Sequence, residues 1–280
     1  MVRSKSAGGL REMMHLFERT EPFVFAVISG KGGVGKSIST VNMAAMLNDM
    51  GYKVAVIDAD LGLANCATMF NQPVQATVCQ WITNECSLED TFQDIGGITL
   101  VTGADDPMEV NLGNDLIMDA LDQVLYALKP THDFILIDTP AGAGEMSLWA
   151  LDAAEFGLLV LVDEPSAISD AYRFCKYVFS IDPDYNFGSL VNFAENEEDA
   201  QSTIERFNTI LAYFLEQECA YLGFIPDHAQ VRRAVKKQNT LLGMDPENPI
   251  NQEVEFVVQN LISTSNTLEK PQLQLAYVNN

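Results

Sequence analysis

The stretch VISGKGGVGKS, residues 27–37, decides how the rest of the chain is read. Gly30, Gly35, Lys36 and Ser37 satisfy the pattern G-x-x-x-x-G-K-[ST]. An apolar run that reads as a strand precedes it, and a segment of helical character follows. Glycines let the backbone N–H groups turn inward around phosphate oxygens, and the start of a helix adds positive potential. Lys36 is placed to neutralise the outer phosphates, and the Ser37 hydroxyl suits Mg²⁺.

Working outward, short apolar runs recur: FVFAVIS, KVAVID, GITLV, DFILID, FGLLVLVD, GSLVNF and YLGFI. Segments of helical period lie between them. In DLIMDALDQVLYALKP, for example, Ile117, Leu121, Val124, Leu125 and Leu128 share a face before Pro130. Strands apolar throughout, alternating with helices, predict an α/β fold: a doubly wound, mostly parallel sheet with helices on both faces. Ligands in such sheets sit at the carboxyl ends of the strands. Two of those ends carry aspartates, VIDAD with Asp58 and Asp60 and FILIDTPAG with Asp138. A hard cation on a triphosphate takes oxygen ligands, so Ser37, Asp58 and Asp138 are the expected metal set. Asp60, one step further out, is placed to orient the attacking water.

The loop carries a second lysine, Lys31. It projects outward from phosphates that Lys36 already contacts. It reaches a γ-phosphate more easily across a dimer interface, acting in trans on charge that develops during phosphoryl transfer. A nucleotide-dependent homodimer is the expectation.

Composition sets limits on partners. Sixteen basic residues stand against 39 acidic ones, a net charge of −23, and such a surface repels nucleic acid and anionic lipid. The five cysteines are scattered without CxxC spacing and the three histidines do not cluster, so reduced thiols in a cytoplasmic setting are expected. FVFAVIS is too short for a signal segment and leads straight into the glycine loop. Three regions are expected: an N-terminal amphipathic helix at 1–20, with Leu10, Met13, Met14 and Phe17 on one face; an ATPase domain at 21–263; and a polar tail at 264–280. Val254, Val257, Val258, Leu261 and Ile262 mark a last amphipathic helix. Arg232, Arg233, Lys236 and Lys237 read as a solvated helix face.

With these residues together, KGGVGKS resembles the deviant Walker A motif of the MinD/ParA class of ATPases, its signature lysine matching Lys31. DADLGLAN is similar to that class's switch I and DTPAG to its switch II. VDEPSAISDAYRFCK and YLGFIPDHAQVRRAVKKQ resemble segments of the FlhG/FleN branch, the MinD-like regulators of flagellar number. The resemblance implies a cytoplasmic switch that binds ATP and Mg²⁺, dimerises in the ATP form and hydrolyses ATP to ADP, with recruitment to the cell pole or inner membrane face. It implies Lys31, Lys36 and Asp60 as catalytic residues. ATP contacts would come from Gly30, Lys31, Gly32, Gly33, Val34, Gly35, Lys36, Ser37 and Ile38. Asn192, Pro226 and Asp227 would border the adenine, and Asn65, Pro140, Ala141, Gly142, Glu164 and Asp170 would serve as switch or dimer residues. The implied partners are a FlhF-like GTPase, the flagellar C-ring or a flagellar transcription activator.

Departures and competitors are also legible. Ile38 stands where a second hydroxyl is usual, removing one phosphate hydrogen bond. KSAGGLR keeps Ala7, Leu10 and Arg11 of the branch's N-terminal GTPase-activating motif but not its first two residues. The last helix carries Glu253 and Glu255 on its polar face, so membrane contact is expected to be weak or partner-mediated. A ParA-type DNA partitioner needs duplex affinity that this charge opposes. An iron–sulfur reductase needs paired cysteines near DTPAGAGEMSLW, which has none. A MinD-type division ATPase, and a scaffold that binds ATP without turning it over, complete the alternatives.

Overall fold

The computed structural model describes residues 19–62, 64–106 and 108–268. The amphipathic segment at Leu10–Phe17, and with it any activator role, lies outside them. One eight-stranded sheet has the order β3-β4-β2-β5-β1-β6-β7-β8. Its strands are β1 (Phe23–Ile28), β2 (Val54–Asp58), β3 (Gln93–Ile95), β4 (Ile98–Thr102), β5 (Phe134–Asp138), β6 (Phe156–Leu161), β7 (Phe187–Ala194) and β8 (Ala220–Pro226). All pairings are parallel except β3 with β4.

Helices α1 (Lys36–Asp49), α8 (Ala229–Lys237), α9 (Leu241–Met244) and α10 (Asn251–Thr267) supply one apolar layer. Helices α4 (Asn114–Leu128), α5 (Glu145–Ala153), α6 (Pro165–Ile181) and α7 (Glu197–Leu215) supply the other. The short α2 (Asn65–Met69) and α3 (Val78–Ile82) are the remaining α-helices among the described residues. β1 shows why its run is apolar throughout: Phe23, Phe25 and Val27 enter one layer, while Val24, Ala26 and Ile28 enter the other. Under α1, Phe23, Tyr52 and Phe134 meet edge to face, with Phe134 5.1 Å from Tyr52 and 6.3 Å from Phe23. Each such ring contributes roughly 1.5–3 kcal/mol by its removal from water. The doubly wound architecture read from the apolar runs is the one observed.

Two boundaries differ from the expectation. β3 was not anticipated; it is short, polar and antiparallel, turned back by Gly96 and Gly97 at φ 60° and 96°, the left-handed pair that a two-residue hairpin requires. The last helix runs to Thr267 rather than stopping at Ser263. Thr264 returns its hydroxyl to the Asn260 carbonyl at 2.8 Å, and Ser265 is buried with its hydroxyl on the Ile262 carbonyl at 2.7 Å. Polar composition concealed a helical turn whose hydroxyls bond their own backbone.

Register positions the functional residues. Asp138 at the end of central β5 lies opposite Val27 on one side and Asp58 on the other. The glycine loop and both aspartates therefore emerge together at the carboxyl ends of the central strands.

Candidate functional site

The loop that follows β1 is shaped by its neighbours as well as its glycines. Gly33 and Gly35 have φ of 79° and 91°, values that favour glycine. A Cβ on Gly30 would lie 2.2 Å from the Ala171 backbone nitrogen, so the Asp170–Ala171 backbone of α6 closes against the loop there. A Cβ on Gly35 would lie 2.1 Å from Asn192 Nδ2, which instead donates to the Val34 carbonyl at 2.8 Å. Helix α1 starts at Lys36 with no side chain capping it, which leaves its first N–H groups for an anion.

Lys36 is buried, and its ammonium donates to Ser29 Oγ at 3.0 Å. Burial pushes its pKa down, opposed by the charges of Asp138 and Asp60. Ser37 Oγ donates to Asp138 Oδ2 at 2.5 Å, and Thr40 donates to Asp138 Oδ1 at 3.1 Å. Asp58 accepts backbone N–H bonds from Cys66 at 2.9 Å and Asp60 at 3.2 Å. Burial, aided by the neighbouring Asp138, raises Asp58 to about 8 against the pull of those N–H groups. Burial likewise raises Asp138 to about 6, moderated by Ser37, Lys36 and Thr40. Two buried carboxylates beside a serine hydroxyl are hard oxygen donors, and burial lets both keep their protons to higher pH than an exposed carboxyl does. That donor set fits Mg²⁺.

This pair has a measurable consequence. The folded state retains protons that the unfolded chain releases above its carboxylate range of about 4. Stability is therefore full below that range and declines as pH climbs toward about 8. In nucleotide- and metal-free protein the melting temperature should fall between about pH 5 and about pH 8, more steeply in wild type than in Asp58→Asn. The slope from the remaining acidic residues is common to both, so thermal melts of the pair isolate Asp58; parallel slopes would contradict this account.

Asp60 is half-buried, its carboxylate accepting from Asn65 Nδ2 at 3.0 Å. Burial raises its pKa, with Lys36 and Asn65 opposing. The Pro140–Gly142 loop is clipped back onto β1, Thr139 donating to the Val27 carbonyl and the Gly142 N–H to the Ser29 carbonyl, both at 2.8 Å. Ala141 in that loop lies 3.9 Å from where a Gly32 Cβ would stand. Lys31 has different side-chain partners from Lys36. Its ammonium contacts Glu164 at 2.6 Å and Ser166 Oγ at 3.1 Å in its own chain, with side chains 40% and 57% exposed for the lysine and Glu164. Ile38 is buried in the core under α1. At the neighbouring strand ends, the Asp227 N–H donates to the Ala194 carbonyl at 2.9 Å beside Pro226, and the Asp227 carboxylate pairs with Arg232.

Ser29, Thr40 and Cys66 were not singled out from the sequence. Thr40 lies one helical turn beyond Lys36 and could have been found from that spacing. Ser29 and Cys66 carry no such signal; strand register and chain return bring them in.

Comparisons with known proteins identify the family and the fold. A family profile described as "ParA: NUBPL iron-transfer P-loop NTPase" matches residues 22–262. The antiactivator FleN of Pseudomonas aeruginosa is 31% identical over 241 residues, covering 86% of each chain. The flagellum site-determining protein YlxH of Helicobacter pylori is 32% identical over 246 residues, covering 86% of this chain and 82% of its own. In structure, the septum site-determining protein MinD of Pyrococcus horikoshii, solved with Mg-ADP, superposes with a TM-score of 0.72 at 24% identity. That match spans 86% of this chain and 96% of the other.

Proposed function

The chain belongs to the ParA family of P-loop NTPases, and from that premise we propose that it is an ATP-driven dimerising switch of the FlhG/FleN kind, regulating flagellar number or placement. The family's members are ATPases, and of its relatives YlxH is a flagellum site-determining protein and FleN an antiactivator by name. The observation that carries the switch reading is the contrast between the two loop lysines. Lys36 is buried among the aspartates, whereas Lys31 rests on an exposed ion pair.

In this reading the N–H groups of residues 30–38 cradle the phosphates, Lys36 neutralises them, and Asn192, Pro226 and Asp227 border the base. Ser37, Asp58 and Asp138 would hold Mg²⁺, which when bound neutralises phosphate charge. Asp60, steadied by Asn65, orients water toward the terminal phosphate. An exposed pair such as Lys31–Glu164 is worth at most about 1 kcal/mol. Lys31 is thus cheaply released to reach the nucleotide of a second copy, with Glu164, Asp170 and the Pro140–Gly142 loop at the interface. Turnover is slow and partner-stimulated. The partner would be a FlhF-like GTPase, the C-ring or a transcription activator, met in the cytoplasm or at the pole. No described helix is long and apolar enough to cross a membrane.

Light scattering with Mg²⁺ and a slowly cleaved ATP analogue tests the switch: the mass should double with the analogue and return with ADP. A mass unchanged by nucleotide would remove the dimer mechanism. Deletion in the source organism should change flagellar number or position; unaltered flagella would instead favour a MinD-type division role.

A further inference from the structure

We propose that Asp58, Cys66 and Asp138 form a binding site for a thiophilic divalent cation, Zn²⁺ being the type, in the nucleotide-free protein. The inference deepens the nucleotide-site reading above and rests on it for its consequence, competition with Mg²⁺-nucleotide.

Three buried side chains converge there, each offering one donor atom, and those atoms all lie within 4.8 Å of one another. Among the described residues no other such group of three occurs. Cys66 stands on α2, and its sulfur is 3.6 Å from Asp138 Oδ2. A buried free cysteine ordinarily serves as a small hydrophobe. This one turns its sulfur toward carboxylates, where an aliphatic residue would fill the same space.

Donor chemistry sets the preference. Mg²⁺ takes hard oxygen ligands and gains nothing from a thiol. Zn²⁺ accepts mixed sulfur and oxygen sets, at about 2.3 Å and 2.0 Å respectively, which places a sulfur and an oxygen about 3.5 Å apart on a tetrahedral ion. The Cys66–Asp138 separation already has that value, so the remaining closure falls to Asp58. Each Asp58 oxygen accepts only one backbone N–H bond, which leaves a lone pair on each for a metal. One of those N–H groups belongs to Cys66 itself, so the same contact that orients the carboxylate fixes the thiol beside it. When the metal–sulfur bond forms, the thiol proton passes to solvent, and water completes the tetrahedron. A cation so held occupies both carboxylates expected to hold Mg²⁺ and ties the loop after β2 to β5.

Co²⁺, a spectroscopic stand-in for Zn²⁺, tests the site in nucleotide-free, full-length protein. Titration should produce a near-ultraviolet sulfur-to-cobalt charge-transfer band that Zn²⁺ abolishes. Cys66→Ser should lose the band and weaken Co²⁺ binding by at least about tenfold, as even outer-shell changes do at metal sites. Its Mg²⁺ affinity should not fall, since serine offers Mg²⁺ a hard oxygen in place of the thiol, and Cys86→Ser should behave as wild type. No band in wild type, which needs no variant to fold, overturns the proposal, as does a band that survives in Cys66→Ser. A fluorescent ADP analogue, read in parallel, separates the two readings. Nucleotide binding without a cobalt–thiolate band removes this site alone. A band in protein that binds no nucleotide removes the nucleotide reading and leaves the metal site. Zn²⁺ that fails to displace Mg²⁺-bound analogue removes the shared position.

Discussion

Asp60→Ala should abolish ATP turnover while ATP still brings two chains together. The Asp60 carboxylate stands just beyond β2, half-buried, and its side chain is held by Asn65 Nδ2 at 3.0 Å. It contributes no bond to Ser37, Asp138 or the glycine loop, so its removal leaves the phosphate cradle intact. A positioned group that orients or deprotonates the attacking water contributes about 10²- to 10⁴-fold, and phosphate release should fall by that amount. Asp60→Asn preserves size and polarity without the charge, and should be nearly as slow. Phosphate release measured beside light scattering decides the matter: dimers with normal hydrolysis would place the water-orienting group elsewhere.

Lys31→Ala should bind ATP as a monomer and hydrolyse it poorly. A cation supplied in trans to a transferring phosphoryl group is worth about 10³–10⁵ in rate, so the loss should exceed that of most single contacts. Folding should be almost untouched, because the exposed pair with Glu164 contributes at most about 1 kcal/mol. Equilibrium binding of an ATP analogue, sedimentation and thermal melting together give the expected pattern of affinity kept, dimer lost and stability kept. Glu164→Gln releases the same lysine without removing it and should favour the dimer. If Lys31→Ala dimerised and hydrolysed like wild type, the loop's outer lysine would be only a solvated charge.

Much of this was legible because P-loop architecture is written locally. The continuous apolar runs exposed the strands, the Ile117–Leu128 face exposed α4, and the glycine spacing placed an anion site between strand and helix. Edge strand β3 was missed because Gln93–Ile95 has neither length nor apolar character; only the Gly96–Gly97 turn marked it. The polar last turn of α10 was missed because hydroxyls that bond their own backbone look, in a sequence, like loop residues.

The chain order alone therefore determined the fold class, the phosphate loop and which aspartates end strands, since each depends on periodicities within a few residues. What surrounds those aspartates was decided only in three dimensions. Register in the central sheet sets Asp58 opposite Asp138, and the chain's return after β2 brings Cys66 to both. α6 closes on Gly30, and Glu164 at its start captures Lys31. Except for Cys66 with Asp58, eight positions away, these contacts join residues dozens of positions apart, whose charge and burial have no signature until parallel strands align their ends.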